Sequence, residues 1–139
     1  MRYWDSSAIV PLIVVEESSP ALEKLLRDDP RIVTWWGSKI ECASALNRVC
    51  REGGLEEKAL ARALHDLETL ADSWYEVSPT EEVRRRAIRL FRVHPLRSAD
   101  AVQLAAALIA AKEDPSSLAF VSRDEQLRLA AEREGFAAL

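Results

Sequence analysis

The chain has 139 residues, 48% of them hydrophobic, and a net charge of -4; this is the size of one ordinary domain with material for one real core. Its longest apolar runs, Ala8 to Val15 and Leu104 to Ala111, fall short of the roughly 20 residues that cross a bilayer. No secretory leader precedes Asp5, so residues 1–139 are expected to form a single cytoplasmic domain without a membrane partner. The acidic balance argues against broad adhesion to nucleic acid but leaves room for a local basic face.

Arg2-Tyr3-Trp4 followed by Asp5-Ser6-Ser7 has the pattern of a strand that ends where a helix starts. Asp5 then stands at the carboxyl edge of the first strand, where open α/β sheets bind ligands. Ser6 or Ser7 can cap the helix and present a hydroxyl beside Asp5. Further on, Ser19 and Pro20 suit the N-cap and first position of a helix running to about Arg27. A short strand is expected over Arg31 to Thr34.

The stripe Cys42, Ala45, Leu46 and Val49 predicts a helix from Ser38 to about Glu52, stopped by Gly53-Gly54. Glu41 falls in its first turn, where the helix dipole alone would accommodate it. Cys42 and Cys50 lie about 12 Å apart along that helix, too far for a disulfide, and are expected to be buried, reduced packing residues. With these two cysteines and two separated histidines there is no zinc spacing, so any metal would be held by oxygen.

Leu60, Leu64 and Leu67 predict a helix over Leu55 to Ala71, paired with the one before it. Ser73 to Val77 is expected as a strand, and Ser78-Pro79-Thr80-Glu81-Glu82 as a capped helix start. That helix carries Arg84, Arg85, Arg86, Arg89 and Arg92. Pairs Glu81 with Arg85 and Glu82 with Arg86 could neutralise two of them; Arg85, Arg89, Arg92 and the later Arg97 could instead face phosphates. Trp35-Trp36 offers one ring for packing and one for stacking on unpaired bases or lining a partner groove.

His94-Pro95-Leu96 breaks the basic helix, and Ser98 is expected to cap the next with Asp100 at its second position. Asp100 shares the stripe of Leu104, Ala107, Leu108 and Ala111, where a charge needs a partner. Leu118 to Val121 predicts another strand. Ser122-Arg123-Asp124 then repeats the geometry of Asp5, leading into a helix through Glu134 that Gly135 closes. Phe136 to Leu139 is expected as a last short strand.

Strands alternate with helices throughout and hairpin turns are missing. The expected fold is therefore three-layer α/β/α around a mainly parallel four- or five-stranded sheet. Parallel pairing sends every strand's carboxyl end to one edge, which brings Asp5 and Asp124 together and allows Glu41 and Asp100 to join them. Two carboxylates about 5 Å apart repel by roughly 3 kcal/mol at an effective dielectric near 20. A converging set therefore calls for a hard divalent cation such as magnesium or manganese, whose chemistry suits phosphodiester hydrolysis.

These residues carry a resemblance. Asp5-Ser6-Ser7 after a first strand, Glu41 in Glu-x-x-x-Ala-Leu, Asp100 in Arg97-Ser98-Ala99-Asp100-Ala101-x-Gln103-Leu104-Ala105, and Asp124 in Ser122-x-Asp124-x-x-Leu127 with Ala131 and Gly135 downstream resemble the PIN-domain ribonucleases, and by length the VapC-type toxins of toxin-antitoxin pairs. The resemblance implies a magnesium- or manganese-dependent endoribonuclease in which Asp5, Glu41, Asp100 and Asp124 form the acidic cluster. Of these, Asp5, Asp100 and Asp124 are the expected metal ligands, with Ser6 and Ser122 in support. It also implies a homodimer, an RNA substrate and a cognate antitoxin packed along the helices Ser38 to Glu52 and Leu55 to Ala71. Ser122 replaces the commoner Thr, and Gln103 stands where the family often has His. The competing expectations are a non-catalytic RNA-binding or regulatory protein of the same fold, and a phosphatase or phosphoacceptor using Asp5 as nucleophile. Against the latter, the chain has no Asp-x-Asp after the first strand.

Overall fold

The computed structural model describes residues 1–139. It contains strands β1 (Arg2–Trp4), β2 (Ile32–Trp35), β3 (Tyr75–Val77) and β4 (Ala119–Val121), and helices α1 (Ser6–Ile9), α2 (Ser19–Asp28), α3 (Ser38–Arg51), α4 (Glu57–Ala71), α5 (Glu81–Leu90), α6 (Ser98–Ala110) and α7 (Glu125–Arg133). The strands form one parallel sheet in the order β3-β2-β1-β4. No helix is long and apolar enough to cross a membrane.

Alternation along each strand divides the core into two layers. Tyr3, Val33 and Phe120 pack with α5, α6 and α7, through residues such as Val83, Leu104 and Leu127. Their immediate neighbours Trp4, Ile32 and Val121 point the other way, onto α1 to α4 through Ile9, Leu22, Leu46 and Leu67. The buried rings of Tyr3 and Phe120 stack at a centroid distance of 5.2 Å. The expected three-layer α/β/α fold is therefore present, with β1 buried at its centre.

The order of strands also creates a crevice. From β1 the chain steps outward to β2 and β3, then returns to place β4 on the other side of β1. The helix leaving β1 packs in one layer and the helix leaving β4 in the other. Adjacent strands whose connections part in this way open a cleft at their carboxyl ends, where α/β sheets bind ligands.

Several local expectations are corrected. The helix expected after Asp5 is short: α1 gives way to a 3-10 turn over Val10–Leu12, because Pro11 has no N–H to continue the ladder. Ser19 is not a cap but the first residue of α2. Its buried hydroxyl accepts from the Glu16 N–H and donates to the Pro11 carbonyl, tying that turn to α2. Thr80, rather than Ser78, caps α5. Arg97 occupies the N-cap of α6, which puts Ser98 inside the helix and Asp100 at the third position. Arg84 pairs with Glu81 at 2.7 Å and Arg86 with Glu113, in place of the i,i+4 pairs. Cys42 is buried and Cys50 only partly so; both are free thiols. Phe136 to Leu139 contributes a single parallel bridge, Ala138 to Phe120, and so a fragment of a fifth strand.

Candidate active site

Asp5 follows β1 directly and caps α1, accepting from the Ser7 N–H at 3.3 Å. Only 3% of it is exposed. The parallel register Trp4 to Val121 brings the segment after β4 alongside. Ser122 donates to Asp5 Oδ2 at 2.9 Å, and the Ser7 hydroxyl donates to the same oxygen. Ser7 in turn accepts from the Arg123 N–H at 2.8 Å, so the two strand ends are cross-linked through hydroxyls. Ser6 reaches the other Asp5 oxygen at 3.3 Å and donates to Glu41 Oε2 at 2.8 Å.

Glu41 arrives from β2 by way of α3, which begins at Gly37-Ser38 immediately after the strand. Asp124 caps α7, with Oδ1 accepting from the Leu127 N–H at 2.8 Å. Asp100 stands in the first turn of α6. Asp5, Glu41, Asp100 and Asp124 all line one open cleft of about 680 Å³, together with Ser6, Ser7, Glu16, Arg97, Arg48 and one face of α3. The acidic residues expected to converge do share a single cavity.

Arg97 belongs to this cleft as well: its Nε lies 3.3 Å from Asp100 Oδ2 and its Nη2 3.6 Å from Asp124 Oδ2. The other arginines considered for phosphate contact lie elsewhere. Arg85 and Arg89 surround a shallow hollow with Glu82, Arg86 and Glu113, and Arg92 is exposed just beyond α5. Trp35 packs on the core while Trp36 is 48% exposed, meeting it edge to face at 6.4 Å.

Residues 2–133 match the family model described as PIN domain. The chain belongs to the PIN-domain family. Two relatives from Mycobacterium tuberculosis, Ribonuclease VapC45 and Ribonuclease VapC49, are each 36% identical over 109 residues, covering 76% of this chain and 74% of the relative. These likenesses place the chain among the VapC-type PIN domains. Among solved structures, a chain of a toxin-antitoxin complex from Klebsiella pneumoniae superposes with a TM-score of 0.62 at 12% identity, over 91% of this chain and 89% of that one, a likeness of fold.

The electrostatics of this PIN domain follow from where its carboxylates are buried. Burial raises the Asp5 carboxyl above its ordinary range, against the opposing pull of the Ser7, Ser122 and Ser6 hydrogen bonds. Glu41 is raised too, by burial first and then by the charges of Asp5 and Asp100, against donation from Ser6 and Gln103. Burial pushes the nearby Cys42 thiol up as well, so it stays a protonated packing group.

An all-oxygen set in which Asp5 and Glu41 are held above their usual range suits a hard cation, which would relieve both burial and mutual repulsion. No three acidic side chains are gathered tightly enough to hold an ion as they stand. Asp124 is engaged by its helix cap, and Arg97 supplies positive charge at Asp100 and Asp124.

Beneath this PIN-domain cleft lies a polar layer of which the sequence marked only Gln103, as a departure from the family pattern, without its partners Tyr3, Thr34 and Ser38. Gln103 donates to Ser38 and Glu41 and accepts from Tyr3, while Thr34 contacts Ser38 and the Trp4 carbonyl. One signal for it was available: Gln103 is the only polar side chain between Ala101 and Ala110, and a buried amide needs partners.

Proposed function

We propose that this PIN domain, residues 1–139 as one unit, is a divalent-metal-dependent endoribonuclease and the toxin half of a toxin-antitoxin pair. The observation that carries the reading is the convergence of Asp5, Glu41, Asp100 and Asp124 on one cleft at the carboxyl edge of the sheet. The VapC relatives' description as ribonucleases supports it, and the toxin-antitoxin neighbour agrees with the partner.

In this reading Asp5, Asp100 and Asp124 are the residues that would hold a magnesium or manganese ion. When bound, the ion supplies neutralising charge for a phosphodiester oxygen and eases deprotonation of water. Glu41, raised and held by Ser6, takes the proton of the attacking water on its carboxylate. Ser7 and Ser122 aim Asp5 and oppose the upward shift that burial imposes on its carboxyl. Arg97, 80% exposed at the side chain, can leave its carboxylate partners for an RNA phosphate. Arg85, Arg89 and Arg92 extend the positive surface along α5.

The antitoxin would pack along α3 and α4, where Ile40 is exposed and the cleft-lining face of α3 leads toward the carboxylates. Homodimerisation and a cytoplasmic location belong to the same proposal. Exposed Ile88, Phe91 and Val93 offer a second copy apolar surface to cover.

The test is RNA cleavage by purified protein with magnesium or manganese, with excess EDTA, and after Asp5→Asn or Asp100→Asn. Cleavage only with metal, lost in both folded variants, is the expected result. Cleavage that persists in EDTA removes the metal from the mechanism, and persistence in both variants removes the site.

A further inference from the structure

Gln103 is 1% exposed, in the second turn of α6 and below the floor of the acidic cleft. Its amide has one acceptor oxygen and two donor hydrogens. Oε1 accepts from the Tyr3 hydroxyl at 2.7 Å. Nε2 lies 3.0 Å from Ser38 Oγ and 3.3 Å from each oxygen of Glu41. Two hydrogens thus meet two receivers, and the amide's donors and its oxygen all have partners within the protein.

The direction of these bonds is set at both ends. Thr34 Oγ1 is 2.7 Å from both the Trp4 carbonyl and Ser38 Oγ. Thr34 Oγ1 is the donor in both contacts, sharing its proton between the Trp4 carbonyl and Ser38 Oγ. Ser38 Oγ, an acceptor there, also accepts from Gln103. At the other end the buried Tyr3 hydroxyl stays protonated and donates to Oε1. Turning the amide over would set its oxygen 3.3 Å from both Glu41 oxygens and lose both donations. Ser6 grips Glu41 Oε2 from the opposite side at 2.8 Å, so the carboxylate is held between a hydroxyl and an amide.

We infer that Gln103, oriented by Tyr3 and by the Ser38-Thr34 pair, is a positioning residue that aims the Glu41 carboxylate into the cleft. The inference rests on the endoribonuclease reading for its consequence in turnover, and on geometry alone for the coupling between Gln103 and Glu41. It connects β1, β2, α3 and α6 to one reactive group, which is why only the assembled sheet and helices create it.

Gln103→Met keeps volume but cannot donate; Gln103→Glu keeps the shape and turns a carboxylate oxygen toward Glu41. Each should lower kcat about tenfold or more with KM within about twofold, the pattern of an interaction felt in the transition state. On a Glu41→Gln background, followed in single turnover, Gln103→Met should have no further effect. A separate readout needs no RNA: the side-chain amide protons of Gln103 should exchange slowly in NMR spectra and shift in both Glu41→Gln and Tyr3→Phe. Tyr3→Phe retains the ring and its stacking, so it serves where a Gln103 variant fails to fold. Wild-type kcat in a folded Gln103→Met, independent losses on the Glu41→Gln background, or amide signals indifferent to both substitutions would overturn the inference. Coupled amide signals in a wild type that cleaves no RNA would uphold the positioning while removing the endoribonuclease reading.

Discussion

The Ser122 hydroxyl donates to Asp5 Oδ2 across 2.9 Å, although 117 positions separate the two in the chain. Parallel pairing of β1 with β4 makes this contact, and it is part of what keeps a nearly buried carboxylate able to ionise. Ser122→Ala removes the donor and leaves Asp5 with less compensation for burial. Loss of a hydrogen bond to a buried charged group costs about 1–3 kcal/mol. Urea unfolding at neutral pH should show a loss of that order, shrinking as acid protonates Asp5, whereas Ser122→Thr should restore most of it.

Asp5→Asn should stabilise the fold while ending cleavage. The folded carboxyl is raised above its unfolded value, chiefly by burial. Its contribution to stability is therefore fully present below the unfolded pKa and is lost as pH rises through the folded one. At pH 7.5 the ionised group is a cost, and Asn, which caps a helix as well, avoids it. Thermal unfolding should give a higher Tm for the variant at pH 7.5 and no advantage below about pH 4, the ordinary aspartate range. A lower Tm at pH 7.5 would show that Asp5 is better compensated than its burial implies.

Metal should act on stability as well as on turnover. A ligand that binds only the folded state at 100 times its Kd adds about 2.7 kcal/mol. Magnesium or manganese should raise the Tm of the wild type, EDTA should reverse it, and Asp100→Asn should respond little. Equal stabilisation of Asp100→Asn would place the ion elsewhere.

Arg97 and Arg89 should separate when tested together. Exposed ion pairs add little to stability, so Arg97→Gln and Arg89→Gln should both melt close to the wild type. Each phosphate contact removed should reduce the salt dependence of RNA binding by about one unit of slope. Only Arg97→Gln should also lower kcat, because of these two arginines Arg97 alone lines the acidic cleft. An unchanged kcat would leave Arg97 as a surface ion-pair partner of Asp100.

Gly37→Ala should disturb α3 at its start. A Cβ there would sit 2.3 Å from Trp35 Nε1, so either the packed indole or the helix must move, and Ser38 and Glu41 move with the latter. Lower Tm and altered tryptophan fluorescence are expected, together with reduced cleavage. Trp36→Ala, at an exposed ring, should leave stability nearly unchanged.

Much of this molecule is legible without coordinates. Alternating strand and helix patterns imply a parallel sheet, and Asp5 after Trp4, like Asp124 after Val121, marks a strand end wherever the strand is placed. Gly53 and Gly135 adopt positive φ where the helices were expected to stop, since each pattern reports a local backbone preference. The misplaced caps at Ser19, Ser78 and Ser98 show where that locality ends: several hydroxyls near a helix start can cap it, and the surrounding packing selects among them.

By itself the sequence determined the layers, the strand ends and the identity of the acidic residues, because periodicity and turn chemistry act over a few neighbouring positions. Only the tertiary structure decided how those residues are held: Ser122 and Ser7 on Asp5, Ser6 and Gln103 on Glu41, and Arg97 against Asp100 and Asp124. These contacts join segments far apart in the chain. Their directions are fixed by donor and acceptor inventories that exist only once the sheet has brought its strand ends together.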